Sequence, residues 1–275
     1  GAVRHGHNPA PSRNRAPRMT AHPFDAAAAT YDTLFTDRQL GRWLRQMVHD
    51  RLPFNPGEHV LELGSGTGED AIWLAEQAIQ VTATDAATTM LEITQQKAAL
   101  ANLTNIDTQQ LDLNAPYPLE MTFNGILANF GVLNCVEDRP ALAEFLSLHL
   151  HTDARVVMVV MGPICPWEIA VHLVRGDFHN AARRWQDQVQ AHVGNGKMIP
   201  VWYPSVRTLI NEFAPYFQHI RTVGIGTLLP PSYMAHLVER WPRLFAQCHR
   251  IDNRLGGIFP FTVLNDHYLV EFARR

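Results

Sequence analysis

Residues 60–70 read VLELGSGTGED. An apolar run carrying one acid, Glu62, gives way to glycines at 64, 66 and 68 and then to two further acids, Glu69 and Asp70. The pattern is that of a strand, a glycine turn and a helix start, because glycine tolerates positive φ and lets backbone N–H groups come close to a ligand. Several nucleotides suit such a loop. The dinucleotide fingerprint G-x-G-x-x-G wants its third glycine where Glu69 stands, and Glu69 with Asp70 would set two carboxylates beside a diphosphate. Acids in a first helical turn also favour the helix dipole, so a dinucleotide is disfavoured rather than removed. No Gly-Lys-Ser/Thr follows, which removes a P-loop.

The flanking chain supplies the fold. HVLEL (59–63), IQVTAT (79–84), NIDTQQL (105–111), FNGILA (123–128) and ARVVMVVM (154–161) read as strands, with helical stretches at 69–78, 88–101 and 139–150 between them. Ahead of them, 37–52 places Leu40, Trp43, Leu44, Met47, Val48 and Leu52 on one helical face, and Pro53 and Pro56 end it. Strands alternating with helices predict an α/β fold whose parallel sheet is covered on both faces. Beyond Met161 the rhythm breaks. A first insertion holds two expected helices, 166–175 and 178–193. A helix at 205–213 with Ser205 as N-cap and a strand at 217–225 follow it, then a second insertion at 228–261 and a last strand at 267–272.

Composition limits the function. The longest apolar run, Val156 to Met161, is strand-sized, so no membrane span is expected and the cytoplasm is the default compartment. Cys135, Cys165 and Cys248 have neither paired nor zinc-like spacing, so no metal is expected. A net charge of −3 offers no whole-chain field for nucleic acid, and no N/D-P-P-Y/F follows the fourth strand. Residues 1–18 are the exception, with four arginines, three prolines and no acid. Residues 1–22 are expected to be a disordered tail or a cloning remnant, followed by one domain at 23–275. The sequence carries no signal for an oligomeric state.

A phosphate-free, cationic nucleoside answers the loop's chemistry better than a diphosphate does. S-adenosylmethionine carries a sulfonium and an ammonium, and its ribose hydroxyls want an acid about twenty residues beyond the glycines, after the second strand. Asp85 stands nineteen residues after Gly66. Asp112, after the third strand, can accept from the adenine amino group with Leu111 or Leu113 against the ring.

From about Phe24 to Met161 the chain resembles the class I S-adenosylmethionine-dependent methyltransferases. The E/D-x-G-x-G-x-G loop is Glu62, Gly64, Gly66 and Gly68, the two acids are Asp85 and Asp112, and FNGILANFGVLNCVED is similar to the family's fourth-strand segment. FDAAAATYD is similar to the opening of ubiquinone and menaquinone C-methyltransferases, in which the tyrosine, here Tyr31, lies over the cofactor pocket. The resemblance implies a Rossmann-like seven-stranded, mostly parallel sheet with an antiparallel last strand. It implies a cofactor set of Tyr31, Glu62, Gly64, Ser65, Gly66, Gly68, Asp85, Ala86, Met90, Asp112, Leu113 and Asn129. One departure is LHTDA (150–154) where relatives read L-K-P-G-G; a turn is expected there.

Ligands of parallel sheets sit at the carboxyl ends of the strands. Insertions 162–203 and 228–261 both leave from such ends, so they are expected to form a mostly helical cap over a small-molecule acceptor. Their aromatics and histidines suit a partly apolar or aromatic molecule, or simply pack the cap. An oxygen acceptor also needs its proton removed, for which His172 and His192 are the candidate catalytic bases. The reading favours O-methylation slightly, with C- or N-methylation, or cofactor binding without turnover, as the alternatives.

Overall fold

The computed structural model describes residues 22–193 and 196–275. The expectation for the tail, with its His5 and His7, lies outside them apart from His22. A short helix α1 (Ala28–Tyr31) and a π-helical turn (Asp32–Thr36) lead into α2 (Gln39–His49). There follow β1 (His59–Leu63), α3 (Glu69–Glu76), β2 (Gln80–Asp85), α4 (Thr88–Leu100), β3 (Ile106–Gln110), β4 (Phe123–Ala128), α5 (Arg139–Leu148) and β5 (Leu150–Met161). The first insertion contains α6 (Pro166–Val174), α7 (Phe178–Ala181), β6 (Val189–His192) and β7 (Met198–Val201). Then come α8 (Val206–Phe213), β8 (Phe217–Ile225), α9 (Ala235–Arg240), α10 (Pro242–Leu255) and β9 (His267–Arg274).

The main sheet has seven strands in the order β3-β2-β1-β4-β5-β9-β8, with β9 antiparallel to both neighbours and the other pairings parallel. The chain runs outward from β1 to β3, then returns to lay β4 against the other side of β1. That reversal opens a crevice beyond Leu63 and Ala128, where helices on opposite faces part company. On β5, Val156, Met158 and Val160 join the core beneath α5 and α8, while Val157 and Val159 join the core beneath α2 and α3. All five are fully buried. Alternation across a strand covered on both faces explains the unbroken apolar run, and each such side chain contributes on the order of 1.5–3 kcal/mol of burial.

Two expectations need correction. LHTDA is no turn between elements but the bulged start of β5: Phe123 pairs with Leu150 and Gly125 with Arg155, so β5 holds three surplus residues, and Asp153 takes φ 62°. The helix expected at 178–193 is α7, a 3-10 turn (Arg183–Trp185) and β6, which pairs antiparallel with β7. Arg183 and Arg184, on the 3-10 turn, both reach Glu168, and beyond them the chain pairs as a strand instead of continuing a helix. The first insertion is therefore part helix and part hairpin, and the second is helical. Ser205 does cap α8, accepting from the N–H of Thr208.

Arg184 ties the first insertion to the sheet. Its buried guanidinium bonds Glu168 of α6 and the carboxylate and carbonyl of Asp266 beside β9. Burial opposes ionisation of Asp266, but His267 and Arg184 outweigh it and hold the carboxyl well below the usual range. Glu168 is held low in the same way by Arg183 and Arg184. Both acids bind protons less readily folded than unfolded, so their contribution is complete above about pH 4.5 and is lost as pH falls toward the folded values. Arg184→Met is expected to cost about 3–5 kcal/mol by stranding buried carboxylates. It should also flatten the acid limb of the Tm against pH curve; chemical denaturation and thermal scans check both.

Candidate active site

The glycine loop closes the crevice from below. Gly64, Gly66 and Gly68 have φ of 60°, 54° and 83°, and a Cβ on Gly64 or Gly68 would lie 2.6 Å from Val132 or 2.5 Å from Thr94. Gly66 differs, because its Cβ position meets only the Tyr31 ring, at 4.0 Å. Two of the glycines are thus required by packing, and the third leaves free space above its Cα. The Gly66 N–H donates to Asp85 at 2.9 Å and the Ala87 N–H at 2.8 Å, so one carboxylate joins the loop to the start of α4. Burial pushes the Asp85 carboxyl above its ordinary value, and the two N–H donors pull it back.

A cavity sits on this loop. Of the expected set, Tyr31, Gly64, Gly66, Asp85, Ala86, Met90, Asp112, Leu113 and Asn129 line it, with Leu111. Glu62, Ser65 and Gly68 lie behind the lining. Asp112 also accepts from the N–H of Asn114, and Asn129 accepts from the N–H of Phe130 in a turn. The cavity wall includes residues that sequence reasoning did not assign: His22, Phe24, Phe130 and Cys135 among them. Phe24 lies within FDAAAATYD, which could have flagged it. Phe130 is a non-glycine residue at φ 49°, and its ring stands between Arg45 and His267. Burial pushes the Cys135 thiol up to about 11, which makes it a poor nucleophile.

Beneath the loop lies a charged hub. Asp70 accepts from Arg45, from His49 Nε2 at 2.7 Å and from Asn129 Nδ2 at 2.9 Å. Burial opposes its ionisation, yet Arg45 and His49 hold the carboxyl well below the usual range. Glu62 shows the opposite: burial first, then the charge of Asp70, pushes it well above the ordinary value. Among the described residues, buried Glu62 Oε2 and Ser65 Oγ have no hydrogen-bond partner. An acid with an open oxygen beside a phosphate-free glycine loop suits a cationic ligand.

The segment before α2 covers the cavity. Asp32 accepts from Thr67 Oγ1 at 2.6 Å and pairs with Lys97, which also pairs with Glu69, while Asp25 accepts from the N–H of Thr89. These contacts tie Tyr31 and Phe24 over the loop. The same two rings also border a second cavity, bounded by Arg38, His192, Tyr233 and His236. The structure brings His192 to this cavity, on exposed β6. It does not bring His172, whose Nδ1 lies 3.1 Å from Asp177 Oδ2 at the start of α7 and which lines neither cavity.

Known proteins share this arrangement. Residues 60–151 match the family model described as "Methyltransferase domain". The chain is 30% identical over 200 residues to the demethylmenaquinone methyltransferase of Thermobifida fusca (strain YX), a match covering 69% of this chain and 82% of that protein. It is 28% identical over 158 residues to the demethylmenaquinone methyltransferase of Paenarthrobacter aurescens (strain TC1), covering 56% of this chain and 60% of that one, less than two thirds of its length. An S-adenosylmethionine-dependent methyltransferase structure from Mesorhizobium loti superposes with a TM-score of 0.53 at 18% identity, over 86% of this chain and 97% of that one. The chain belongs to the class I S-adenosylmethionine-dependent methyltransferases. The family's cofactor is S-adenosylmethionine, and the buried, unpartnered Glu62 oxygen and the space above Gly66 fit it.

Gly68→Ala and Gly66→Ala are expected to separate packing from binding. The first should destabilise by about 2–4 kcal/mol through its clash with Thr94 and its left-handed backbone. The second should cost only about 1 kcal/mol but should weaken S-adenosylhomocysteine binding by about tenfold or more, because its methyl enters the cavity. Denaturant titration and calorimetry give the two readings.

Proposed function

We propose that this chain transfers the methyl group of S-adenosylmethionine to a small, partly apolar or aromatic molecule seated in the second cavity. The observation that carries the reading is that the two cavities meet at Phe24 and Tyr31. The donor would be held by the glycine loop, with Glu62 facing its ammonium, Asp85 its ribose hydroxyls, and Asp112 with Leu111 and Leu113 its adenine. Bound there, the cofactor supplies an electrophilic methyl group on a sulfonium. The chain's part is to align the acceptor with that methyl group and keep water out, and alignment in a dry pocket accounts for much of the acceleration in such displacements.

Two readings of the acceptor atom have support. The relatives' name, demethylmenaquinone methyltransferase, favours a quinone-like ring methylated on carbon. His192 at the second cavity favours an oxygen acceptor, since an imidazole there can take the hydroxyl proton. In either case the acceptor's electron pair forms the new bond to the methyl carbon, the carbon–sulfur bond breaks, and the acceptor's proton must leave.

Transfer of labelled methyl from S-adenosylmethionine to hydroxylated aromatics and reduced quinones, with the product's methyl position read by NMR, tests the reading. Tyr31→Ala is expected to lower kcat/KM by on the order of 10² because it opens the wall shared by donor and acceptor. His192→Ala should leave a carbon-methylated product's rate within a few-fold and should lower that of an oxygen-methylated product by about 10². Retained S-adenosylhomocysteine binding with no labelled product from any acceptor or cell extract would favour a binding protein without turnover.

A further inference from the structure

The second cavity is asymmetric in charge. Arg38, just before α2, His192 on β6 and His236 on α9 reach it from three separate elements, joined by the hydroxyls of Thr30, Ser232 and Tyr233. Among the described residues, no aspartate or glutamate lines it. The nearest acid to the cationic group is Glu239, which holds Arg38 Nη1 at 2.6 Å. Both side chains of this pair are more than a third exposed, so it is a weak interaction that an incoming anion can displace or join. A guanidinium carries five N–H donors in a planar fork matched to a carboxylate, so one contact to Glu239 does not exhaust it.

We propose that the acceptor carries a carboxylate on its aromatic or apolar body, and that Arg38, with His236, receives it; this rests on the methyl-transfer reading of the same site. The carboxylate at the basic rim sets the rest of the molecule against Phe24 and Tyr31, the two rings that border the donor cavity. Arg38 is then the residue that selects anionic acceptors and fixes which end of the molecule faces the methyl group. Glu239 is its placeholder, satisfying the guanidinium until the acceptor arrives.

The test is calorimetry on the full chain loaded with S-adenosylhomocysteine, using benzoate, 1-naphthoate and 2-naphthoate, each beside its methyl ester. At least one acid should bind about tenfold or more tightly than its ester. Arg38→Gln should erase that preference, and Glu239→Gln, which removes the competing carboxylate, should strengthen it. A mere structural role for the pair would move acid and ester together and move both variants the same way. Equal binding of acid and ester in all three pairs overturns the proposal, as does a Glu239→Gln variant whose preference for the acid is unchanged or lower. Failure to load S-adenosylhomocysteine overturns the methyltransferase reading, and this one with it; normal loading without a preference for the acids overturns the carboxylate alone.

Discussion

Asp70 is a carboxylate in the first turn of α3, 4% exposed, and it takes hydrogen bonds from a guanidinium, an imidazole and an amide. Those three donors come from α2 and from the loop after β4. A charge removed from water is tolerable only when its partners are placed well, and removing one partner from such a cluster is far more costly than never having built it. The positions of α2, α3 and Asn129 are therefore bound to one another through this single group. Since the segment bearing Phe24 and Tyr31 runs directly into α2, fixing that helix also fixes the cover over the cofactor cavity.

The same hub divides the electrostatics of the site. Arg45 bonds Asp70, whereas buried Glu62 feels Arg45 less than it feels burial and the charge of Asp70. A buried acid pushed toward its neutral form, with one oxygen unpartnered, is an energetic deficit that a ligand ammonium can cancel. A second salt cluster, around Arg184, does the corresponding work for the cap by joining Glu168 to Asp266 at the edge of β9.

Much of this was legible in VLELGSGTGED and its surroundings. The periodicities set all seven main strands and most helices, because a strand buried on both faces must be apolar throughout and an amphipathic helix must repeat every three or four residues. Spacing found Asp85 and Asp112, since the distance from a glycine loop to the end of the next strand is a property of the βαβ unit. Arg45 and Phe130 were not legible. An arginine on the polar flank of a helix looks like a solvated charge until the helix docks, and nothing local marks Phe130 for a left-handed backbone. The helix expected at 178–193 failed for a related reason: its second half is paired with β7, a contact that local propensity does not show.

The chain's own residues determined the α/β class, the order of its elements, the glycine loop and the two acids that follow it, because each depends on contacts within one βαβ unit. Which histidine borders a cavity was decided only in three dimensions. His172 is spent on Asp177, five residues away, whereas His192 meets Arg38 and His236 at one cavity although long stretches of chain separate them. Such a meeting depends on how a hairpin, a cap helix and the amino-terminal segment pack over the sheet, and no spacing along the sequence encodes it.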